Sequence, residues 1–155
     1  MKTFSRSKRD LLKHSLVDIS IHFCLAVVIA FLIYHLYRSR VYVTWFFAGA
    51  IFIDLDHIPE YLWYSRGRII LQDFFSSACL RSGKAYVLFH SWEINLVLFF
   101  LGVVFSMPQL TFLALGLCVH LAADNFHKQN IFCYLLAYRI IKKFKAEILF
   151  PEFTA

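Results

Sequence analysis

Apolar residues run almost unbroken through four stretches: SIHFCLAVVIAFLIY, WFFAGAIFIDLDHIPE, VLFHSWEINLVLFF and LALGLCVHLAADNF. Runs of this length and hydropathy predict helices that cross a bilayer, over residues 19–37, 41–57, 86–106 and 110–126. RSR closes the first connection and MPQ the third, while a longer polar loop with Gly67 and Gly83 separates the second and third spans. After the fourth span, Arg139, Lys142, Lys143 and Lys145 sit among Ile, Leu and Phe, which predicts an amphipathic helix over 128–147 lying in the interface. The expected fold is all-α: one integral membrane domain over 1–155, a four-transmembrane-helix bundle with an interfacial C-terminal helix.

Composition agrees with that class. Of 155 residues 60% are hydrophobic and 18 are Phe, and the mean hydropathy is +0.63. A soluble domain of this size has too little interior to hide such a surface. The net charge of +6 is not read as a nucleic-acid signature, because the basic residues cluster where they orient a membrane protein. Lys2, Arg6, Lys8, Arg9 and Lys13 precede the first span, and Arg66, Arg68, Arg81 and Lys84 follow the second. Only Arg38 and Arg40 lie in the opposite loops. The positive-inside rule puts both termini and the central loop in the cytoplasm, and the expected location is a bacterial-type inner membrane. The first apolar stretch is too long for a signal-peptide core and reads as a retained span. Cys24, Cys79, Cys118 and Cys133 are dispersed, with no metal or redox spacing, and read as small core residues.

The spans carry residues that lipid does not tolerate cheaply: His22, Asp54, Asp56, His57, His90, His120 and Asp124. At about 1.5 Å per residue from Arg38, Arg40 and Pro108 as outer edges, they lie roughly 18–27 Å in, within a hydrocarbon core about 30 Å thick. They therefore meet near one level. His120 and Asp124 at i, i+4 share a helix face, as do Asp54 with His57 and His90 with Glu93 at i, i+3. Imidazole with carboxylate is the ligand mixture of catalytic zinc. The expected ligands are His22, Asp54, His57, His90, His120 and Asp124, around one or two divalent ions. Asp56 or Glu93 is then the candidate general base and Ser91 a hydrogen-bond donor to a developing oxyanion.

Plainer readings exist for single residues. Asp18 and His22 suit a local i, i+4 pair, Asp56 suits a helix end, Glu93 suits a partner to a loop arginine, and His14, His35 and His127 suit the interface. The functional alternatives are a non-catalytic metal-binding or ion-transport protein, and a structural membrane subunit.

The series His22, Asp54-Leu55-Asp56-His57, His90-Ser91, His120-x-x-x-Asp124 resembles the YdjM-like family of small membrane-bound, predicted metal-dependent hydrolases. The resemblance implies that Asp54, Asp56 and His57 take the place of that family's central acid-acid-His motif. It likewise matches His90-Ser91 to the end of a T-H-S element and His120 with Asp124 to a late pair. Ile53 stands where the family has Pro and Phe89 where it has Thr, while Ala85 and Tyr86 replace a His-Arg pair. Arg81 or Lys84 could supply the missing positive charge. The implied activity is hydrolysis by metal-activated water, with membrane lipids as surroundings and a lipid-like substrate at the cytoplasmic leaflet. Arg66, Arg68 and Arg81 are candidates for holding an anionic headgroup.

Overall fold

Helices dominate the described residues, and glycines set how closely they approach. The computed structural model describes residues 8–68, 70, 83–126, 130 and 132–151, with side chains from Leu16 onward. Cys79, Arg81 and His127, and the side chain of His14, lie outside the described residues. The elements are α1 (Lys8–Tyr37), α2 (Arg40–Phe52), α3 (His57–Tyr64), α4 (Trp92–Val104), α5 (Pro108–Asn125), α6 (Leu136–Ile141) and α7 (Ala146–Leu149). A 3-10 turn, Ile53–Asp56, joins α2 to α3. Among the described residues there is no strand, only an isolated antiparallel bridge between Lys84 and Lys145.

Two helical stretches are long and apolar enough to cross a membrane: Leu16–Tyr37, with mean hydropathy 2.6, and Arg40–Tyr64, with mean hydropathy 1.3. The 22 residues of the first extend about 33 Å, enough for a hydrocarbon core of about 30 Å. Between the two, Arg38 takes a left-handed φ of 52° and Ser39 caps α2 by accepting from the Tyr42 amide. α4 is a shorter apolar helix. It starts at Trp92 rather than at residue 86, because Ser91 is extended and accepts from the Ile94 amide as the N-cap.

α5 is the hub, packed most extensively on α2 and next on α4, with α1 flanking α2. A methyl group added at Gly49 would overlap the Leu113 carbonyl, and one at Gly116 would overlap the Phe46 carbonyl. The two backbones thus meet without side chains between them, the usual device of helices that associate in lipid. On α1, His22, Ala26, Ala30 and Ile33 form one buried stripe at helical spacing, while Val28, Phe31, Leu32 and Leu36 remain exposed. Leu96, Phe100 and Val103 are exposed on α4. Apolar faces this large suit a hydrocarbon environment.

The C-terminal segment departs from expectation. In place of one amphipathic helix over 128–147, it forms two short helices separated by a turn in which Lys143 and Phe144 have φ of 53° and 56°. Left-handed residues in succession cannot continue a right-handed helix. Its apolar side chains turn inward: Cys133, Tyr134, Ala146, Leu149 and Phe150 share a core with Ile53, Tyr61, Leu117 and Leu121. Arg139, expected at the interface, is fully buried.

Candidate metal centre

Helix spacing brings the ionisable residues together. The 3-10 turn places Asp54 and His57 almost in line, since residues three apart eclipse in that geometry. Asp56 leaves the turn at another angle, toward the loop before α4. His120 and Asp124 sit one turn apart on α5, and the stripe on α1 ends at His22.

The six expected ligands converge as two triads, His22–His120–Asp124 and Asp54–His57–His90. Within each triad one ligand atom per residue lies within 4.8 Å of the others. His22 Nε2 is 3.1 Å from Asp124 Oδ1. His120 Nε2 is 3.3 Å from Asp54 Oδ1 and 3.8 Å from Asp124 Oδ2. His90 Nε2 is 3.4 Å from the same Asp54 oxygen. The triads are therefore contiguous, joined through Asp54 and His120.

The opposite ring nitrogens decide what these contacts mean. His22 Nδ1 is 2.8 Å from the Asp18 carbonyl oxygen, and His120 Nδ1 is 2.8 Å from the Ala50 carbonyl oxygen. A carbonyl only accepts, so each Nδ1 carries its proton and donates. His90 Nδ1 donates in the same way to Asp56 Oδ1 at 3.1 Å. In the neutral rings all three Nε2 lone pairs then point inward, at carboxylates. His22 Nε2 is buried and makes no hydrogen bond, despite the 3.1 Å approach.

Lone pairs facing carboxylate oxygens repel unless a positive charge lies between them. Protonating His22 and His90 would supply it as two imidazolium–carboxylate pairs; charging their neighbours as well is opposed by ring centroids only 4.2 Å apart for His22–His120, 4.8 Å for His57–His90 and 5.5 Å for His90–His120. Four imidazolium rings that close would repel one another. A shared cation removes the conflict, and its geometry fits. Ligand atoms about 2.05 Å from one tetrahedral ion lie about 3.3 Å from each other, close to the separations observed. An outer acceptor on Nδ1 is also the usual way a metal-binding imidazole is oriented. The residues present thus fit a divalent ion.

No family model, curated protein or solved structure matches this chain. The assignment rests on its own side chains.

The three expected catalytic side chains are each engaged in other hydrogen bonds. Asp56 accepts from His90 Nδ1 with one oxygen and from the Phe89 amide, at 2.8 Å, with the other, so both oxygens serve to orient His90 and its loop. Glu93 accepts from the Leu136 amide at 2.8 Å and the Ala137 amide at 3.0 Å, which caps the N-terminus of α6. Ser91 spends its one proton on Glu93 Oε2 at 2.9 Å, so it is not placed as an oxyanion donor. Arg66 and Arg68 are exposed on the turn after α3. Asp18, the expected local partner of His22, meets it through its carboxylate at 3.9 Å and more closely through its backbone carbonyl at 2.8 Å.

Two contributors escaped the sequence. Tyr134 stacks on His90 with ring centroids 5.9 Å apart and hydrogen-bonds Asp124. Burial, reinforced by the Asp124 charge, holds the Tyr134 phenol well above its usual range, so it stays protonated and donates. Arg139 reaches the loop that carries His90, where Nη1 donates to the Tyr86 and Val87 carbonyls at 2.8 and 2.6 Å and Nη2 donates to the His90 carbonyl. Burial lowers the Arg139 pKa, opposed first by the Asp56 carboxylate. In that loop Val87 has a φ of 25°, an outlier for a β-branched residue, costing about 1–3 kcal/mol that its surroundings must offset.

Access is one-sided. The side chain of Asp54 is 49% exposed, against 6% for Asp56 and 9% for Asp124. Exposed Phe52, Leu55 and Ile58 surround it in sequence. His57 is half-buried beside it, while His22, His90, His120 and Asp124 are buried.

Proposed function

We propose that this chain is a membrane-embedded metal-dependent hydrolase of the inner membrane. In this reading four spans place the cluster near the cytoplasmic leaflet, both termini face the cytoplasm, and the substrate is lipid-like. One observation carries the reading: the imidazoles of His22, His90 and His120 each donate Nδ1 outward and turn Nε2 toward carboxylates.

His22, His120 and Asp124 would hold one divalent ion, and Asp54, His57 and His90 a second, zinc suiting both sets by donor type. When bound, such an ion lowers the pKa of water and polarises a carbonyl or phosphoryl oxygen. The protein's share is to fix the donors and manage a proton. Asp18 and Ala50 lock two rings through their carbonyls, and Asp56 locks the third. Asp54, accessible and turned toward His90 and His120, is the carboxylate placed to take a proton from water, in the role first expected of Asp56 or Glu93. Exposed apolar side chains at Phe52, Leu55 and Ile58, next to Asp54 in sequence, would suit a substrate whose scissile bond arrives with an acyl or prenyl chain. Ester and phosphoester lipids in mixed micelles, assayed with and without a chelator, test the proposal. Chelator-sensitive turnover of either class, lost in Asp54→Asn, is expected. Turnover indifferent to chelator would refute it.

A further inference from the structure

The molecule's other unexplained feature is a buried arginine. Arg139 is fully buried, and a desolvated guanidinium persists only where its bonds are worth its burial. Those bonds go to the carbonyls of Tyr86, Val87 and His90. These are three acceptors on one short loop, and the last belongs to a candidate ligand. The same loop has an independent sign of tension in the left-handed Val87. It is also tied to the C-terminal segment at both ends. Ala85 N donates to the Phe144 carbonyl at 2.9 Å, Ala146 N to the Gly83 carbonyl at 3.0 Å, and Trp92 N to the Tyr134 carbonyl at 3.1 Å.

We propose that Arg139 is a positioning residue of the metal centre, whose forked bonds hold the Tyr86–His90 loop in the conformation that presents His90 Nε2 to Asp54. The inference rests on the metal reading above. It adds that Arg139, which is no ligand itself, is required for the second triad and not for the first. The division follows from connectivity: Arg139 bonds the His90 loop, whereas His22, His120 and Asp124 stand on α1 and α5. Lysine cannot replace arginine here. Its single ammonium can approach one or two of the carbonyls but cannot present two nitrogens in a fixed plane.

The test uses the full chain in nanodiscs, with Zn²⁺ and Co²⁺ as probes and hydrogen exchange of the segment 83–92 as a metal-independent readout. Arg139→Lys and Arg139→Met should weaken binding at one of two ions by about 10–100-fold, the range for loss of an outer partner, and leave the other ion's Co²⁺ spectrum unchanged. His90→Ala should do the same, and the double variant Arg139→Met with His90→Ala should lose no more than His90→Ala alone. A merely structural Arg139 would weaken both ions and add to the His90→Ala loss. Amide exchange over 83–92 should rise in both Arg139 variants while α1 and α5 keep their protection. Unchanged exchange and unchanged binding in Arg139→Lys would overturn the proposal. If the wild type binds no metal, the proposed function fails on its own. The exchange result then decides whether Arg139 holds the loop: faster exchange supports the clamp and unchanged exchange refutes it.

Discussion

His22 on α1 and Asp124 on α5 face each other at 3.1 Å, imidazole Nε2 to carboxylate oxygen, without forming a hydrogen bond. The contact is unfavourable as it stands for a neutral ring and becomes favourable around a cation. It links the first helix to the hub helix and, through His120 and Asp54, to the 3-10 turn. A metal at this point would join elements far apart in the chain, so binding should stabilise the fold as well as equip the site. Thermal unfolding in detergent should shift upward on Zn²⁺ addition in wild type and not in a His22→Ala, Asp124→Ala double variant. An equal shift in both would place the ion elsewhere.

Asp56 is bonded to His90 and to the Phe89 amide through its two oxygens. Asp56→Asn keeps the shape and replaces one acceptor by a donor that faces another donor. Metal affinity should fall about 10–100-fold. Unchanged affinity with turnover lowered about 10²–10⁴-fold would instead return Asp56 to the role of general base.

Glu93 and Ser91 form a cap that joins α4 to α6. Glu93→Gln should retain metal and cost about 0.5–2 kcal/mol of stability, as lost caps do. Inactivity at full stability would contradict this placement.

Gly49 and Gly116 let α2 and α5 touch backbone to backbone. Alanine at either position must push the helices apart, costing about 1–3 kcal/mol as overpacking does. Because Asp54 follows α2 and His120 lies on α5, metal affinity should fall together with stability. An alanine variant that melts normally and binds normally would rule out this close approach.

The clustered His and Asp residues are easier to read from the sequence than the groups that hold them. Asp54 with His57, and His120 with Asp124, are legible because their spacing alone fixes a shared face. His22 and His90 are legible because a charge or imidazole inside an apolar run demands a partner. The supporting shell is not legible. Ala50 contributes a carbonyl, which any residue would offer. Ser91 and Glu93 read as reactive groups because the helix start between them is invisible within the apolar run that contains them. Arg139 reads as an interfacial charge among lysines, since its burial depends on carbonyls some fifty residues earlier in the chain. The single C-terminal helix fails for the same reason: its periodicity suits a lipid surface, while the observed partners are the 83–92 loop and a core with Ile53, Tyr61, Leu117 and Leu121.

The most direct measurement is the metal content of the full chain purified in detergent without added metal, compared with His120→Ala and His90→Ala. A tightly held divalent ion is expected in the wild type, most simply two per chain. His120→Ala, whose ring touches both triads, should lose more than His90→Ala. Wild-type protein that holds no divalent ion after equilibration with Zn²⁺, or variants that bind as the wild type does, would contradict the central claim.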